Sequence, residues 1–161
     1  LLTLPLSSFV YGGEVVKGVY DNGVTLTLTT EPFDAKTHVI KKCGERICLI
    51  DGKPFYGTDG TMPSKVVSRL VFERKGKQIA LDVSSMFDPT INSESMKWSF
   101  SVESEYTGGD NFATITGYFS DGAGAYFCQW LIIQDSSLRN HISNYEDFDE
   151  LNTKINNKHN Q

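Results

Sequence analysis

The sequence predicts a mainly β (α+β) fold: an antiparallel, hairpin-rich sheet, or a half-open barrel or sandwich, closed by a C-terminal helix. Three observations carry that prediction. Apolar and polar residues alternate over several short runs, as half-buried strands require. Glycine-containing turns separate those runs at hairpin spacing. Helical spacing of apolar residues is convincing only after residue 134. The 161 residues suit a single domain over 1–161 with one core, and 39% apolar and 12% aromatic residues suffice to fill it.

The organising stretch is residues 112–134. FATITGYFS and AYFCQWLIIQ flank DGAG, whose Asp121, Gly122 and Gly124 suit a tight reversal. The second run is apolar almost throughout, interrupted by Gln129, and reads as the central strand of a sheet. Residues 112–120 are its hairpin partner.

The other elements follow from the N-terminus. Residues 1–13, LLTLPLSSFVYGG, read either as the end of a secretory signal peptide or as an edge strand that tolerates Pro5. Residues 14–20 and 24–30 flank Asp21-Asn22-Gly23, the strongest short hairpin signal. Residues 36–42 and 47–50 form the next hairpin. It would place Cys43 and Cys48 opposite one another at disulfide distance, or hold them as two reduced thiols. Residues 51–63, DGKPFYGTDGTMP, are a long loop rich in Gly and Pro. Residues 66–74 and 77–83 pair around Lys75-Gly76. Residues 96–106 read as a half-buried strand with Trp98, Phe100 and Val102 on its core face. With Phe127, Trp130 and Ile132 these form the expected core. From 135 to 157 a helix is expected, capped by Asp135 and Ser136, with Leu138, Ile142, Tyr145, Phe148, Leu151 and Ile155 on its apolar stripe.

Searching for chemistry mostly excludes it. No G-x-S-x-G elbow or phosphate-binding glycine loop occurs. Cys128 lies in the most apolar run, where a thiolate would be costly. His38, His141 and His159 make no metal-type spacing with a cysteine, so no metal and no cofactor is expected. Asp51 and Asp59 each precede a glycine, as ordinary turn residues do. The net charge of −5 disfavours nucleic acid, and no apolar run is long enough to cross a bilayer, so no membrane partner is expected.

What remains is a binding surface. YEDFDE at 145–150 concentrates Glu146, Asp147, Asp149 and Glu150, either as a solvated helix face or as a contact for a basic partner. The loop adds Asp51, Phe55, Tyr56 and Asp59, where the aromatics either anchor a partner or pin the loop to the core.

Residues 48–63, CLIDGKPFYGTDGTMP, followed by LDVSSMFDP at 81–89, resemble segments of small bacterial immunity proteins encoded beside polymorphic or contact-dependent growth-inhibition toxins. The resemblance implies a non-enzymatic inhibitor that binds one cognate toxin domain, a nuclease for instance, and blocks its active site. Its partner would be a toxin with a basic surface. It would work in the periplasm if residues 1–12 end a signal peptide, and otherwise in the cytoplasm. The alternative function is a periplasmic small-molecule or carbohydrate-binding β domain, because Trp98, Trp130 and seven tyrosines offer faces on which sugars stack. An exposed aromatic platform in a cleft would favour the second, and an acidic protrusion without a cleft the first.

Overall fold

The computed structural model describes residues 13–20, 23–104, 111–147 and 150. Three antiparallel sheets account for nearly all its regular structure. β1 (Glu14–Val19), β2 (Val24–Pro32), β5 (Lys65–Arg74) and β6 (Lys77–Leu81) form one sheet in the order β1-β2-β5-β6. β7 (Phe100–Glu103), β8 (Phe112–Phe119), β9 (Tyr126–Ile133) and β10 (Ser136–Asn144) form a second in the order β10-β9-β8-β7. β3 (Ile40–Cys43) and β4 (Arg46–Ile50) make a separate two-stranded ribbon.

Alternation builds the core. Val24, Leu26 and Leu28 of β2 are fully buried while Thr25, Thr27 and Thr29 between them stay partly exposed. Opposite them, Tyr126, Cys128, Trp130 and Ile132 of β9 are buried with Ala113, Ile115 and Phe119 of β8. The inner faces of both four-stranded sheets thus share one hydrophobic cluster. Met86, Ile91 and Met96, from the connection between β6 and β7, are buried in the same cluster. The indole N–H of Trp130 donates to the Asp82 carbonyl at 2.9 Å and the Tyr126 hydroxyl donates to that of Phe87 at 3.1 Å, so both large polar-tipped aromatics are satisfied.

The hairpins follow their turn chemistry. Lys75 and Gly76 both take positive φ, 52° and 76°, as a two-residue turn demands. Asp51 and Gly52 do the same, with backbone bonds in both directions between Ile50 and Lys53. Asp21 and Asn22 lie outside the described residues, but the expected pairing of the runs that flank them is present: β1 lies antiparallel to β2 with Val19 opposite Thr25. Cys43 and Cys48 are joined by a disulfide, their Cα atoms 5.7 Å apart.

Four expectations need correction. The region from 135 is not a helix. Residues 136–144 form β10, which pairs with β9 along its length, and helix begins only at Tyr145. The helical spacing of Leu138 and Ile142 has a physical source: a β-bulge between Arg139 and His141 shifts the strand's parity. Leu138 therefore points outward, 62% exposed, and Ile142 packs on the core. Phe148, Asp149 and 151–161, the rest of the expected helix, lie outside the described residues, as do residues 1–12. The expected strand 96–106 is split. Met96–Ser99 form a short helix, α1, and only β7 is extended. Trp98 therefore leaves the core and stands 80% exposed beside the Lys97 ammonium. Residues 36–42 are likewise not one strand: Ala35–Thr37 form a 3-10 turn capped by the Asp34 carboxylate, and β3 starts at Ile40. In the central reversal, Asp121 is extended at φ −146° and it is Ser120 and Gly122 that take positive φ.

Candidate functional site

The loop 51–63 is bound into the fold rather than held out from it. Asp51 Oδ1 accepts the Val39 N–H at 2.8 Å and Oδ2 accepts His38 Nδ1 at 2.7 Å. These bonds, His38's first, hold its carboxyl below the usual carboxylate value. Asp59 pairs with Arg46 at 2.8 Å. Phe55 packs in the satellite cluster of Ile47, Ile50 and Phe87, edge-on to the Phe87 ring. Tyr56 packs on the main cluster, 6.0 Å from the Tyr126 ring. Between them, Gly57 sits at φ 117° with the Phe87 carbonyl where a Cβ would lie, so no other residue fits there. Its own carbonyl accepts the Ser120 hydroxyl at 3.0 Å. The loop's aromatics thus face inward, and its two acids are already paired.

Glu146 and Asp147 stand exposed on the single helical turn after β10, and Glu150 is exposed beyond it. Asp149 is outside the described residues. The structure does not bring these acids together with Asp51, Phe55, Tyr56 and Asp59 into one described pocket.

A different set of residues does converge, on the outer face of β8, β9 and β10. Strand register builds it in rows. Thr116, Gln129 and His141 lie side by side across the three strands, and Tyr118, Phe127 and Ser143 form the next row. The bulge in β10 adds a residue: it places both Asn140 and His141 on this face, where a regular strand would turn one of them inward. Tyr145 completes the rim, its backbone N–H bonded to the Ala125 carbonyl at 3.2 Å. These side chains line an open concavity of about 490 Å³, within the roughly 300–1,000 Å³ of small-ligand sites.

Its lining is aromatic and polar but uncharged in the main. The His141 ring stacks on Phe127 with centroids 4.7 Å apart and planes 19° from parallel. Tyr118 lies 6.3 Å from the other partner of that stack. Tyr118 and Tyr145 are 50% and 52% exposed, so both present ring surface to solvent. Asn140 donates its amide N–H to Gln129 Oε1 at 3.0 Å, and Gln129 Nε2 donates to Thr116 Oγ1 at 3.3 Å. The alternative depression, lined by Glu14, Thr30, Lys65 and Asp88, has its charges already engaged. Lys65 pairs with Glu14 at 2.8 Å, and Asp88 accepts from Ser64 and Lys65.

The sequence carried a signal for this site in Gln129, the polar interruption of the apolar run. Asn140 and His141 were hidden because their segment reads as helix. Nucleophilic chemistry finds no support: the Cys128 thiol is buried against Met86 and burial pushes it up to about 12. Among the described residues no group of three or more His, Cys, Asp or Glu could hold a metal ion, and no helix is long and apolar enough to cross a membrane. Compared with known protein families, curated proteins and solved structures, the chain matches none, so the reading of the site rests on its own geometry.

Proposed function

We propose that the chain is a non-catalytic binding domain that takes a small neutral ligand, carbohydrate being the leading class, in the concavity on β8, β9 and β10. One observation carries the reading: two half-exposed tyrosine rings and a bonded pair of side-chain amides converge on one concave sheet face. Aromatic faces supply contact area at low entropic cost, and amides supply direction. The Cys43–Cys48 bridge supports an oxidising compartment, which suits a periplasmic or otherwise exported protein.

The test maps binding on the sheet. Titration of isotope-labelled protein with a panel of neutral oligosaccharides and small aromatic fragments should shift amide resonances at 116–118, 127–129 and 140–145. The double change Tyr118→Ala and Tyr145→Ala should reduce the response at least tenfold while the fold is kept, with a stability loss of about 1–2 kcal/mol because both rings are half exposed and Tyr118 covers Phe127. Shifts that cluster around Glu14 and Lys65, or binding that ignores the tyrosine changes, would remove this face as the site.

A second reading keeps a specific observation in its favour. Glu146 and Asp147 are exposed directly beside Tyr145, as a contact for a basic toxin would need to be. An immunity protein of this kind would associate faster at low salt. Reversing Glu146, Asp147, Asp149 and Glu150 to lysine should then slow its association. A toxin partner indifferent to both salt and reversal would leave the acids as a solvated face.

A further inference from the structure

The hydrogen bonds inside the concavity run in one direction, and that direction specifies a ligand. Asn140 gives a proton to Gln129, and Gln129 gives one to Thr116. Three side chains are thereby fixed in orientation relative to one another, each through a bond to the next. What the relay leaves over is chemically definite. At its head, the Asn140 Oδ1 acceptor has no protein donor among the described residues. At its tail, the Thr116 hydroxyl accepts from Gln129, which leaves its own proton without a protein acceptor among them. Among the groups left over, the floor of the site offers the Asn140 Oδ1 acceptor at one end of the relay and the Thr116 proton at the other, flanked by the tyrosine rings.

A ligand must meet both without bringing a charge. Among the described residues no Lys or Arg lines the concavity, and Glu146 and Asp147 follow its rim residue Tyr145, so a phosphate or carboxylate would be desolvated and repelled. A purely apolar ligand would cover the amides and the hydroxyl without bonding them, at the cost of burying unpaired polar groups. Neighbouring sugar hydroxyls each donate and accept, and the apolar face of a pyranose ring stacks on tyrosine.

We infer, on the strength of the sheet-face reading above, that the site selects an uncharged pyranose sugar whose neighbouring hydroxyls bond Asn140 Oδ1 and the Thr116 hydroxyl while its ring packs on Tyr118 or Tyr145. Among the described residues no carboxylate lines the concavity, so no charged oxygen is there for a bridging cation, and recognition should proceed without one.

The relay's direction gives the inference a sharp test. Gln129→Glu keeps the acceptor for Asn140 but turns the donor toward Thr116 into an acceptor. The Thr116 hydroxyl must then give its proton to the new carboxylate and can no longer give it to a ligand. Calorimetric titration is run with neutral hexasaccharides of glucose, galactose, mannose and xylose, with a hexamer of galacturonic acid, and with adenosine. At least one neutral hexasaccharide should bind, the galacturonate should not, and chelator should leave the affinity unchanged. Gln129→Glu should weaken the neutral sugar about tenfold, the cost of one hydrogen bond, while Gln129→Met, similar in shape, leaves the Thr116 proton free for the ligand and should weaken it less. Binding of galacturonate or adenosine in preference to every neutral sugar would overturn the sugar inference yet leave the sheet face as the site if Tyr118→Ala and Tyr145→Ala still abolish it. Sugar binding that survives those tyrosine changes would instead overturn the site itself.

Discussion

The two four-stranded sheets share one core yet differ on the side turned away from it. The outer face of β2 carries Thr25, Thr27 and Thr29, small polar residues that ask nothing of a ligand. The outer face of β9 carries Phe127, Gln129 and Leu131, with Phe127 only 5% exposed beneath Tyr118 and His141. An antiparallel sheet needs only one apolar face to fold, and beside its threonines this outer face adds only the aliphatic Val15, Val19 and Val71 as large apolar groups. The second sheet bears aromatic and amide groups beyond what its core requires. Excess of this kind, gathered in a concavity, is what a binding face looks like in physical terms.

The comparison breaks first at neighbouring positions of one strand. Trp130 on the inner face is fully buried and bonds the Asp82 carbonyl. Trp130→Ala should cost about 3–5 kcal/mol through its cavity and the carbonyl it orphans. Gln129→Ala, one residue away on the outer face, should stay within about 1 kcal/mol, since its amide is only partly buried. Urea midpoints measure both. Equal losses would mean that the outer face is structural and would weaken every claim made for it.

A smaller effect separates the satellite ribbon from the two main sheets. β3 and β4 carry the disulfide and pack with their own cluster of Ile47, Ile50 and Phe87. Cys43→Ser with Cys48→Ser should lower stability by about 2 kcal/mol, the loop-closure value for so short a loop. The loss should appear as local opening: hydrogen exchange accelerates at 40–50 and leaves β8 and β9 protected. Uniform acceleration across both regions would show that the ribbon and the sheets unfold as one unit.

How far each region was legible in the sequence follows the same division. Strict alternation in β2 and β6, and the Lys75-Gly76 and Asp51-Gly52 turns, are local signals, and local signals survive reading without a structure. The β8–β9 hairpin was legible for the same reason. β10 was not, because its bulge shifts parity by one and makes Leu138 and Ile142 mimic helical spacing. Trp98 misled in the opposite way: it alternates correctly with Phe100 and Val102, but α1 turns the chain before the strand starts. The site was half legible. Its tyrosines and Gln129 could be seen, but nothing local says that register will set Thr116, Gln129 and His141 in one row. Asp51 lies in a turn before Gly52, as its sequence suggests, and Asp59 in a bend before Gly60. What sequence could not supply was their partners, His38 and Arg46.

The smallest expected effect concerns the first of those acids. Asp51 sits in the turn that follows β4, and its folded carboxyl is held below the ordinary 3.8, first by the His38 bond and then by the Val39 N–H. A depressed carboxylate adds stability that is fully present above the unfolded value and is lost as pH falls through the lower folded one. The difference in urea midpoint between the parent and Asp51→Asn should thus be constant above the unfolded value of 3.8 and shrink toward zero below it. The group is solvent-exposed, so the difference is small and salt reduces it. It should also be confined to the ribbon, visible in exchange at 38–53 and absent from β8, β9 and β10. A difference that grows on acidification would mean that the charge at 51 opposes folding. A pH-dependent change reaching the concavity would couple the ribbon to the binding face and end the separation between the two regions.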